Sequence, residues 1–181
     1  MNIAFDLDGT LVDSWARKVY LDQIVYGHET CSYEEFWGGI FESYPESKKM
    51  FFRKTPIYYS SNPIRSKIKA MLKDIAKHHT IFYITCRPEE VYYTTKRYLE
   101  ENDVPCQDNL FFSTTKKVIE VRALDIDWLV DDDPTYLDAT KEFCQGVLVE
   151  AYWNRDKRQG FITIPSILDI KNILELENEI C

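Results

Sequence analysis

The chain of 181 residues lacks the features that mark several large protein classes. No apolar run is long enough to cross a membrane, and no basic stretch followed by an apolar one indicates a secretory signal. The five cysteines are scattered and form no Cys-x-x-Cys pair, which favours reduced thiols in a cytoplasmic protein. The formal net charge is −8, so a broad basic face for nucleic acid is not expected. These absences predict a cytoplasmic protein whose partners include neither a membrane nor a nucleic-acid polymer.

The chain does contain a regular alternation of apolar runs and amphipathic segments. Its length favours one domain with room for a modest insertion, and 45% hydrophobic residues can supply a core. Strands that alternate with helices argue for a parallel sheet covered on both faces. We therefore predict an α/β fold with a Rossmann-like parallel sheet. The predicted strands are 2–5, 80–85, 110–112, 127–130 and 146–151, and the predicted helices are 63–79 (capped by Asn62), 88–101, 116–124, 134–143 and 166–177.

The stretch between residues 15 and 60 differs in composition from the rest. It is rich in Trp, Tyr and Phe with charges interleaved, and Ser32 followed by Glu35 has the pattern of a helix start. We predict a small helical cap here, inserted after the first strand. The core domain would then consist of residues 1–14 and 61–181, with the cap at 15–60.

Polar residues stand where three of the predicted strands end. Asp6 follows the first strand, Thr85 ends the second, and Asp131 follows the strand at 127–130. Ligand sites of parallel α/β sheets lie beyond the carboxyl ends of the strands. The sheet would therefore bring these three distant positions to one edge and form a site there.

Asp6 and Asp8 are separated by one residue and followed by Gly9, which permits a tight turn. In such a turn one carboxylate can be a nucleophile and the other a general acid/base. A capping Asp or a calcium loop also fits Asp-x-Asp-Gly, although Leu11 and Val12 interrupt the calcium-loop pattern. The Asp6–Asp8 pair alone does not distinguish a catalytic pair from a capping residue or a calcium loop.

The run Asp131–Asp133 places carboxylates side by side, where they repel one another unless a cation lies among them. Oxygen-only ligands favour Mg²⁺ over zinc. An acidic helix N-terminus, stabilised by the helix dipole, is the alternative explanation. With Asp6 predicted at the same edge, the metal explanation gains support.

Thr85 and one of two adjacent lysines complete this set of residues. Thr85 offers a hydroxyl and a backbone N–H that suit a phosphate oxygen. Lys116 and Lys117 are predicted to open a helix, where the dipole disfavours cations, so one of them is expected to neutralise a phosphoryl group. Two solvated lysines are the ordinary alternative. A nucleophile, an acid, a hydroxyl, a lysine and Mg²⁺ together predict phosphoryl transfer through an aspartyl-phosphate.

In four motifs the sequence resembles the haloacid dehalogenase (HAD) superfamily, and their order agrees over most of the chain. The motifs are FDLDGTLVDS, ITCRP, one of Lys116 and Lys117, and VDDDP. Lys117 is favoured as the third motif because KVIEVRAL leads into DWLVDD, as it often does in this family. The resemblance implies a HAD fold and a Mg²⁺-dependent phosphatase.

The resemblance also implies a role for each matching residue. Asp6 would be the nucleophile and a Mg²⁺ ligand, and Asp8 the acid/base, with its backbone carbonyl on the metal. Mg²⁺ would also be bound by Asp131 and by Asp132, the latter directly or through water. The phosphate-binding residues would be Thr85, Cys86 and Lys117.

Within the superfamily, ITCRP, VDDDP and the AYWNRD segment are similar to the 5′(3′)-deoxyribonucleotidase-like group. This implies a 5′-nucleotidase acting on (deoxy)nucleoside monophosphates, and paired caps in some relatives leave a homodimer open. Stacking of a nucleobase on an aromatic ring is favourable by about 1–3 kcal/mol. Phe36 and Trp37 are candidate base contacts, with packing inside the cap as the alternative. Arg87 would contact the phosphate or sugar, or pair with Glu89 or Glu90.

Other functions remain open on the sequence alone. A phosphatase with the same mechanism could act on a sugar phosphate or a hydroxy-acid phosphate. A signalling receiver module also forms an aspartyl-phosphate with Mg²⁺, Thr and Lys, but its phosphorylated Asp ends a middle strand and it needs no cap of this size. An inactive relative that only binds a ligand is disfavoured, because every motif residue is present.

Overall fold

The computed structural model describes residues 1–13, 19–20, 23, 27, 43–56, 59 and 62–178. A six-stranded sheet forms its centre in the order β3-β2-β1-β4-β5-β6, and every neighbouring pair of strands is parallel. The first strand of the sequence therefore lies in the middle of the sheet, between β2 and β4. The strands are β1 (Asn2–Phe5), β2 (Thr80–Thr85), β3 (Leu110–Phe112), β4 (Trp128–Asp131), β5 (Gln145–Val149) and β6 (Ile162–Ile164).

Helices connect the strands in sequence. The α-helices are α1 (Glu46–Lys54), α2 (Ser66–Ile75), α3 (Tyr92–Glu101), α4 (Val118–Ala123), α5 (Pro134–Thr140) and α6 (Ile170–Asn178). Short 3₁₀ helices span Glu89–Val91, Tyr152–Lys157 and Ile167–Asp169.

Side chains on the two faces of the sheet enter two separate apolar layers. Along β1, Ile3 and Phe5 point to one layer and Ala4 to the other, as the two-residue period of a strand requires. The first layer includes residues of α2, α3 and α6, and the second includes residues of α4 and α5. This arrangement confirms the predicted Rossmann-like parallel sheet with helices on both faces.

The helix predicted from residue 63 begins later, at Ser66, and Asn62 does not cap it. The side-chain amide of Asn62 instead donates a hydrogen bond to the backbone carbonyl of Asp13, at 2.7 Å. The backbone N–H of Ile64 donates to the side-chain oxygen of Asn102, at 2.8 Å. These tertiary hydrogen bonds hold residues 62–65 in an irregular path, so the local capping signal was misleading.

The sixth strand is absent from the sequence prediction. It has three residues at the edge of the sheet, where it pairs in parallel with β5. Unlike the apolar run of β3, it includes a polar residue and an exposed one, so its strand conformation depends on pairing with the neighbouring strand.

Most of the predicted cap, residues 15–60, lies outside the described residues, so its boundaries remain a prediction. Helix α1 belongs to this insertion. Within the described part of the chain, no helix is both long enough and apolar enough to span a membrane.

Leu72 tests the first apolar layer, because its side chain is completely buried on α2. We expect Leu72→Ala to lower the free energy of unfolding by about 2–5 kcal/mol through lost burial and a residual cavity. Urea denaturation measures this change. Leu168→Ala is the control, since Leu168 is exposed, and its effect should stay within about 0.5 kcal/mol. Equal effects at the two positions would contradict the described core.

Candidate active site

The carboxyl ends of β1, β2 and β4 bring the predicted polar residues to one edge of the sheet. Asp6 follows β1 directly, Thr85 is the last residue of β2, and Asp131 is the last residue of β4. All three are buried. The backbone N–H of Asp6 donates to the carbonyl of Val130 at 2.9 Å, which fixes the chain where it leaves β1. The sheet therefore assembles the site as the strand-end rule predicts.

Lys117, rather than Lys116, enters this cluster. Its ammonium nitrogen Nζ lies 2.5 Å from Oδ1 of Asp6 and 2.6 Å from Oδ2 of Asp131. The Lys117 side chain is completely buried, whereas Lys116 is exposed. The structure thus distinguishes the two lysines that the sequence left open.

A left-handed turn before α4 aims Lys117 at the carboxylates. Both lysines have positive φ angles, 54° for Lys116 and 69° for Lys117, so they precede the helix rather than opening it. The Lys117 N–H donates to the hydroxyl of Ser113 at 2.8 Å, just beyond β3. Two consecutive non-glycine residues in this region are unusual and cost backbone energy, so contacts around the turn must hold it.

Burial and mutual repulsion make the ionised carboxylates of this cluster unfavourable. Burial raises the pKa of Asp6 to about 7; Lys117 opposes this effect, whereas Asp131 adds to it by repulsion. Burial also raises the pKa of Asp131, and it raises that of Asp132 well above the usual value. For Lys117, burial alone would lower the pKa, but the charges of Asp131 and Asp6 raise it. The ammonium is therefore firmly charged, and it could not neutralise all three acids if each were ionised.

The donor set fits a hard divalent cation. One carboxylate oxygen from each of Asp6, Asp131 and Asp132 lies within 4.8 Å of the others. Oxygen donors without nitrogen or sulfur suit Mg²⁺. A cation among these oxygens would relieve the repulsion that raises their pKa values. These three residues are the candidate metal ligands.

Asp132 is held by residues outside the predicted catalytic, metal-binding and phosphate-binding sets. The hydroxyl of Thr10 donates to Oδ1 at 3.1 Å, and the indole N–H of Trp153 donates to Oδ2 at 2.8 Å. The side-chain amide of Asn154 bridges the backbone carbonyls of Asp132 and Val149, at 2.8 Å each. Thr10 belongs to the DLDGT motif, and Trp153 and Asn154 belong to AYWNRD. The quoted motifs therefore already included the residues that hold Asp132.

Gly9 allows the β1 loop to approach Asp132. Its φ is +97°, in the region that favours glycine. An added Cβ would lie 2.3 Å from Oδ2 of Asp132, well inside contact distance. Gly9 is therefore required both by the backbone conformation and by the space that the acid fills.

Arg87 binds Asp8 rather than the partners expected from the sequence. Its Nε donates to Oδ2 of Asp8 at 2.7 Å and its Nη2 donates to Oδ1 at 2.8 Å. Glu90 forms a salt bridge with Lys54 of α1 instead, at 2.8 Å. The expected pairing of Arg87 with Glu89 or Glu90 is therefore wrong, because the partly buried carboxylate of Asp8 lies within reach of its guanidinium.

The other acidic and phosphate-binding residues predicted from the sequence make contacts of their own. The Thr85 hydroxyl accepts a hydrogen bond from the N–H of Arg87 at 3.3 Å. Burial raises the pKa of the Cys86 thiol to about 11, so this group is neutral. Asp133 caps α5 by accepting from the N–H of Thr135 at 2.9 Å, as the helix-cap explanation of the acidic run requires. The candidate base contacts Phe36 and Trp37 lie outside the described residues.

Solved hydrolase structures share this architecture. A haloacid dehalogenase-like hydrolase from Streptococcus pneumoniae has a TM-score of 0.67, covering 96% of this chain and 97% of that one, at 13% sequence identity. A HAD family hydrolase from Deinococcus radiodurans, solved with bound phosphate and sodium, has a TM-score of 0.66 over 98% and 96% at 12% identity. The chain has the haloacid dehalogenase fold. The fold that the resemblance of the four motifs implies is thereby confirmed.

Sequence relatives of this HAD-fold chain carry nucleotidase names. A provisionally named nucleotidase of Oceanobacillus iheyensis is 33% identical over 115 residues, which make up 61% of this chain and 58% of that protein. The chain thus matches little more than half of the length of that relative. A nucleotidase of Clostridium acetobutylicum is 24% identical over 162 residues, which cover 86% of this chain and 83% of that one. No family model matches the sequence.

The two lysines provide a matched test of the buried ion pairs. We expect Lys117→Met to lower the free energy of unfolding by about 3–5 kcal/mol, because it leaves buried acids without their cation. Lys116→Met should change it by no more than about 0.5 kcal/mol, since that side chain is exposed. Urea denaturation without Mg²⁺ measures both. A larger effect of Lys116→Met would reverse the assignment.

Gly9 and Gly160 provide a second matched pair. Both have positive φ, but a Cβ on Gly160 would meet nothing within 4 Å. Each change to Ala should cost about 1–2 kcal/mol from backbone strain. Only Gly9→Ala should also displace Asp132 and reduce the rise in melting temperature that added Mg²⁺ produces. Thermal melts with and without Mg²⁺ measure this, and an equal Mg²⁺ response in the two variants would contradict the proposed role of Asp132.

Proposed function

We propose that this HAD-fold chain is a Mg²⁺-dependent phosphatase that hydrolyses a phosphomonoester through an aspartyl-phosphate on Asp6. The observation that carries the proposal is the position of Asp6: it is buried at the end of the central strand, with the Lys117 ammonium on Oδ1 and two further acids within 4.8 Å. Purely structural clusters rarely bury three carboxylates around one cation, since each buried charge costs several kcal/mol.

In the first step a carboxylate oxygen of Asp6 attacks the phosphorus of the ester. The bond between phosphorus and the ester oxygen breaks, and that oxygen leaves with a proton from Asp8. The product alcohol departs, and the phosphoryl group remains on Asp6 as a mixed anhydride. Lys117 would neutralise negative charge that develops on the transferred group, and the hydroxyl of Thr85 would donate to one of its oxygens.

In the second step water attacks the phosphorus of the aspartyl-phosphate. Asp8, now ionised, takes a proton from that water, and the bond between phosphorus and the Asp6 oxygen breaks. Inorganic phosphate leaves, and both acids return to their starting states. The single residue between Asp6 and Asp8 places the nucleophile and the acid/base on one short loop.

Mg²⁺, held by Asp6, Asp131 and Asp132, would supply positive charge next to the phosphoryl oxygens. Thr10, Trp153 and Asn154 orient Asp132, and the N–H of Asp133 donates to Oδ1 of Asp131 at 2.9 Å. Hydrogen bonds of this kind fix the direction of metal-binding carboxylates. The backbone carbonyl of Asp8 remains a predicted further ligand.

The substrate that we propose is a (deoxy)nucleoside monophosphate. Its support is the nucleotidase names of the Oceanobacillus and Clostridium relatives, together with the aromatic composition of residues 15–60. A sugar phosphate or hydroxy-acid phosphate is the alternative within the same mechanism. A cytoplasmic location, the cap domain at 15–60 and a homodimer also remain predictions from the sequence.

The strand order disfavours the signalling receiver. Receiver modules have the flavodoxin-like order 2-1-3-4-5, whereas here β2 and β4 flank β1 and the order is that of the Rossmann fold. The candidate nucleophile Asp6 also follows the first strand in sequence, whereas a receiver's phosphorylated Asp ends a later one.

Phosphate release from nucleoside monophosphates and sugar phosphates tests the proposal. We expect turnover that requires Mg²⁺ and falls by on the order of 10³-fold or more in Asp6→Asn, because the amide is a poor nucleophile. Asp138→Asn is the control, since Asp138 is an exposed partner of Lys141 away from the cluster.

Comparing turnover of nucleoside monophosphates with turnover of sugar phosphates distinguishes the two candidate substrate classes. Strongest turnover of nucleotides would support the nucleotidase proposal, and strongest turnover of sugar phosphates would keep the mechanism but contradict that substrate. Asp6→Asn turnover equal to that of Asp138→Asn would overturn the assignment of the nucleophile.

A further inference from the structure

The guanidinium of Arg87 is buried and faces the acid/base candidate Asp8. Only 1% of the Arg87 side chain is exposed, compared with 21% of the Asp8 side chain. The two nitrogens Nε and Nη2 each contact a different oxygen of Asp8, at 2.7 and 2.8 Å. A bidentate salt bridge of this geometry fixes both the position and the rotation of a carboxylate.

Other contacts hold Arg87 itself in place. Its third nitrogen, Nη1, donates to the hydroxyl of Thr95 on α3 at 3.1 Å. The Arg87 Cζ lies 4.5 Å from the centre of the Tyr59 ring, a cation–π distance, and Tyr59 is itself buried. Tyr59 belongs to the insertion between the first and second motifs. Arg87 therefore joins the β2 loop, α3 and the end of the insertion to Asp8.

We propose that Arg87 is a positioning residue that orients the Asp8 carboxylate for proton transfer, and that Tyr59 keeps the Arg87 guanidinium in place. This inference rests on the proposed phosphatase function. An acid/base must lie within hydrogen-bond reach of the ester oxygen and of the attacking water, and small displacements of a catalytic group can cost about 10²-fold in rate. Through Tyr59, the position of the acid/base depends on the insertion as well as on the core.

Direct contact between Arg87 and substrate is the competing role. It is disfavoured because each of the three guanidinium nitrogens already has a protein partner and the side chain is covered. Because the side chain is covered, a phosphate could reach the guanidinium only if the groups around it moved. The sequence-based expectation that Arg87 contacts the phosphate or sugar stays a prediction, and the kinetics of Arg87 variants distinguish it from a role that acts through Asp8.

The two roles predict different kinetics for Arg87→Met. A positioning role should lower kcat by about 10- to 100-fold with little change in KM, since the loss is a part of what general acid–base catalysis contributes. Arg97→Met is the matched control, because Arg97 forms an exposed pair with Glu101 on α3. Its kcat and KM should equal those of the wild type.

The leaving group adds a readout that a merely structural role would not change. An alkyl phosphate needs a proton on its departing oxygen, whereas p-nitrophenyl phosphate releases a stable anion and needs little help. We expect Arg87→Met to lose several-fold more activity on a nucleoside monophosphate than on p-nitrophenyl phosphate. Equal losses on both substrates would contradict the inference.

A double-mutant cycle with Asp8→Asn tests the link between the two residues. If Arg87 acts through Asp8, adding Arg87→Met to Asp8→Asn should cause little further loss of kcat. Additive losses, or a raised KM with unchanged kcat, would assign Arg87 to direct substrate contact and overturn the proposal.

Two further variants keep the test decisive if Arg87→Met does not fold. Arg87→Lys keeps the positive charge but cannot form the bidentate salt bridge with Asp8, so its kcat should also fall. Tyr59→Leu keeps an apolar side chain but removes the ring, and it should lower kcat less than Arg87→Met does. Wild-type activity in both folded variants would overturn the inference. Absence of phosphate release by the wild type from every substrate would instead reject the phosphatase function on which the inference rests.

Discussion

The interaction on which the site depends is the buried contact of the Lys117 ammonium with the carboxylates of Asp6 and Asp131, at 2.5 and 2.6 Å. Removing such charges from water costs several kcal/mol per ion, so they persist only where partners are placed closely. The Rossmann strand order brings Asp6 and Asp131 to neighbouring strand ends, and the left-handed turn after β3 carries the lysine between them. Without this cation, the ionised forms of these buried acids would have no opposite charge beside them.

Acids that are close in sequence acquire different environments in this fold. Asp6 contacts Lys117, Asp8 is paired with Arg87, and Asp132 accepts hydrogen bonds from Thr10 and Trp153. Asp133, next to Asp132 in the chain, instead caps a helix. Such differences are what allow one carboxylate to attack, another to transfer protons and others to bind a metal, because the surroundings set the charge and orientation of each.

The described residues at the end of the insertion contact the core through groups that differ in how much they contribute to stability. The Lys54–Glu90 pair is exposed, and exposed ion pairs contribute little to stability. Tyr59 is buried against Arg87, and Asn62 is tied to the backbone of Asp13. The two segments that enter and leave the insertion are therefore held next to the loop that carries Asp8. A change in the insertion would be transmitted to that loop through packed and hydrogen-bonded groups rather than through surface charge.

The sequence by itself determined five of the six strands, their parallel arrangement and the meeting of Asp6, Thr85 and Asp131 at one edge, because apolar runs, the helices between them and the residues at strand ends are visible in the local pattern. Gly9 and the family motifs were likewise readable from the chain. The tertiary structure decided which lysine enters the site, what Arg87 pairs with, and what holds Asp132. It also decided where α2 begins and that Ile162–Ile164 is a strand. These features depend on groups 14 to 122 positions apart in the chain, as in Lys117–Asp131 and Thr10–Asp132, so no local pattern records them.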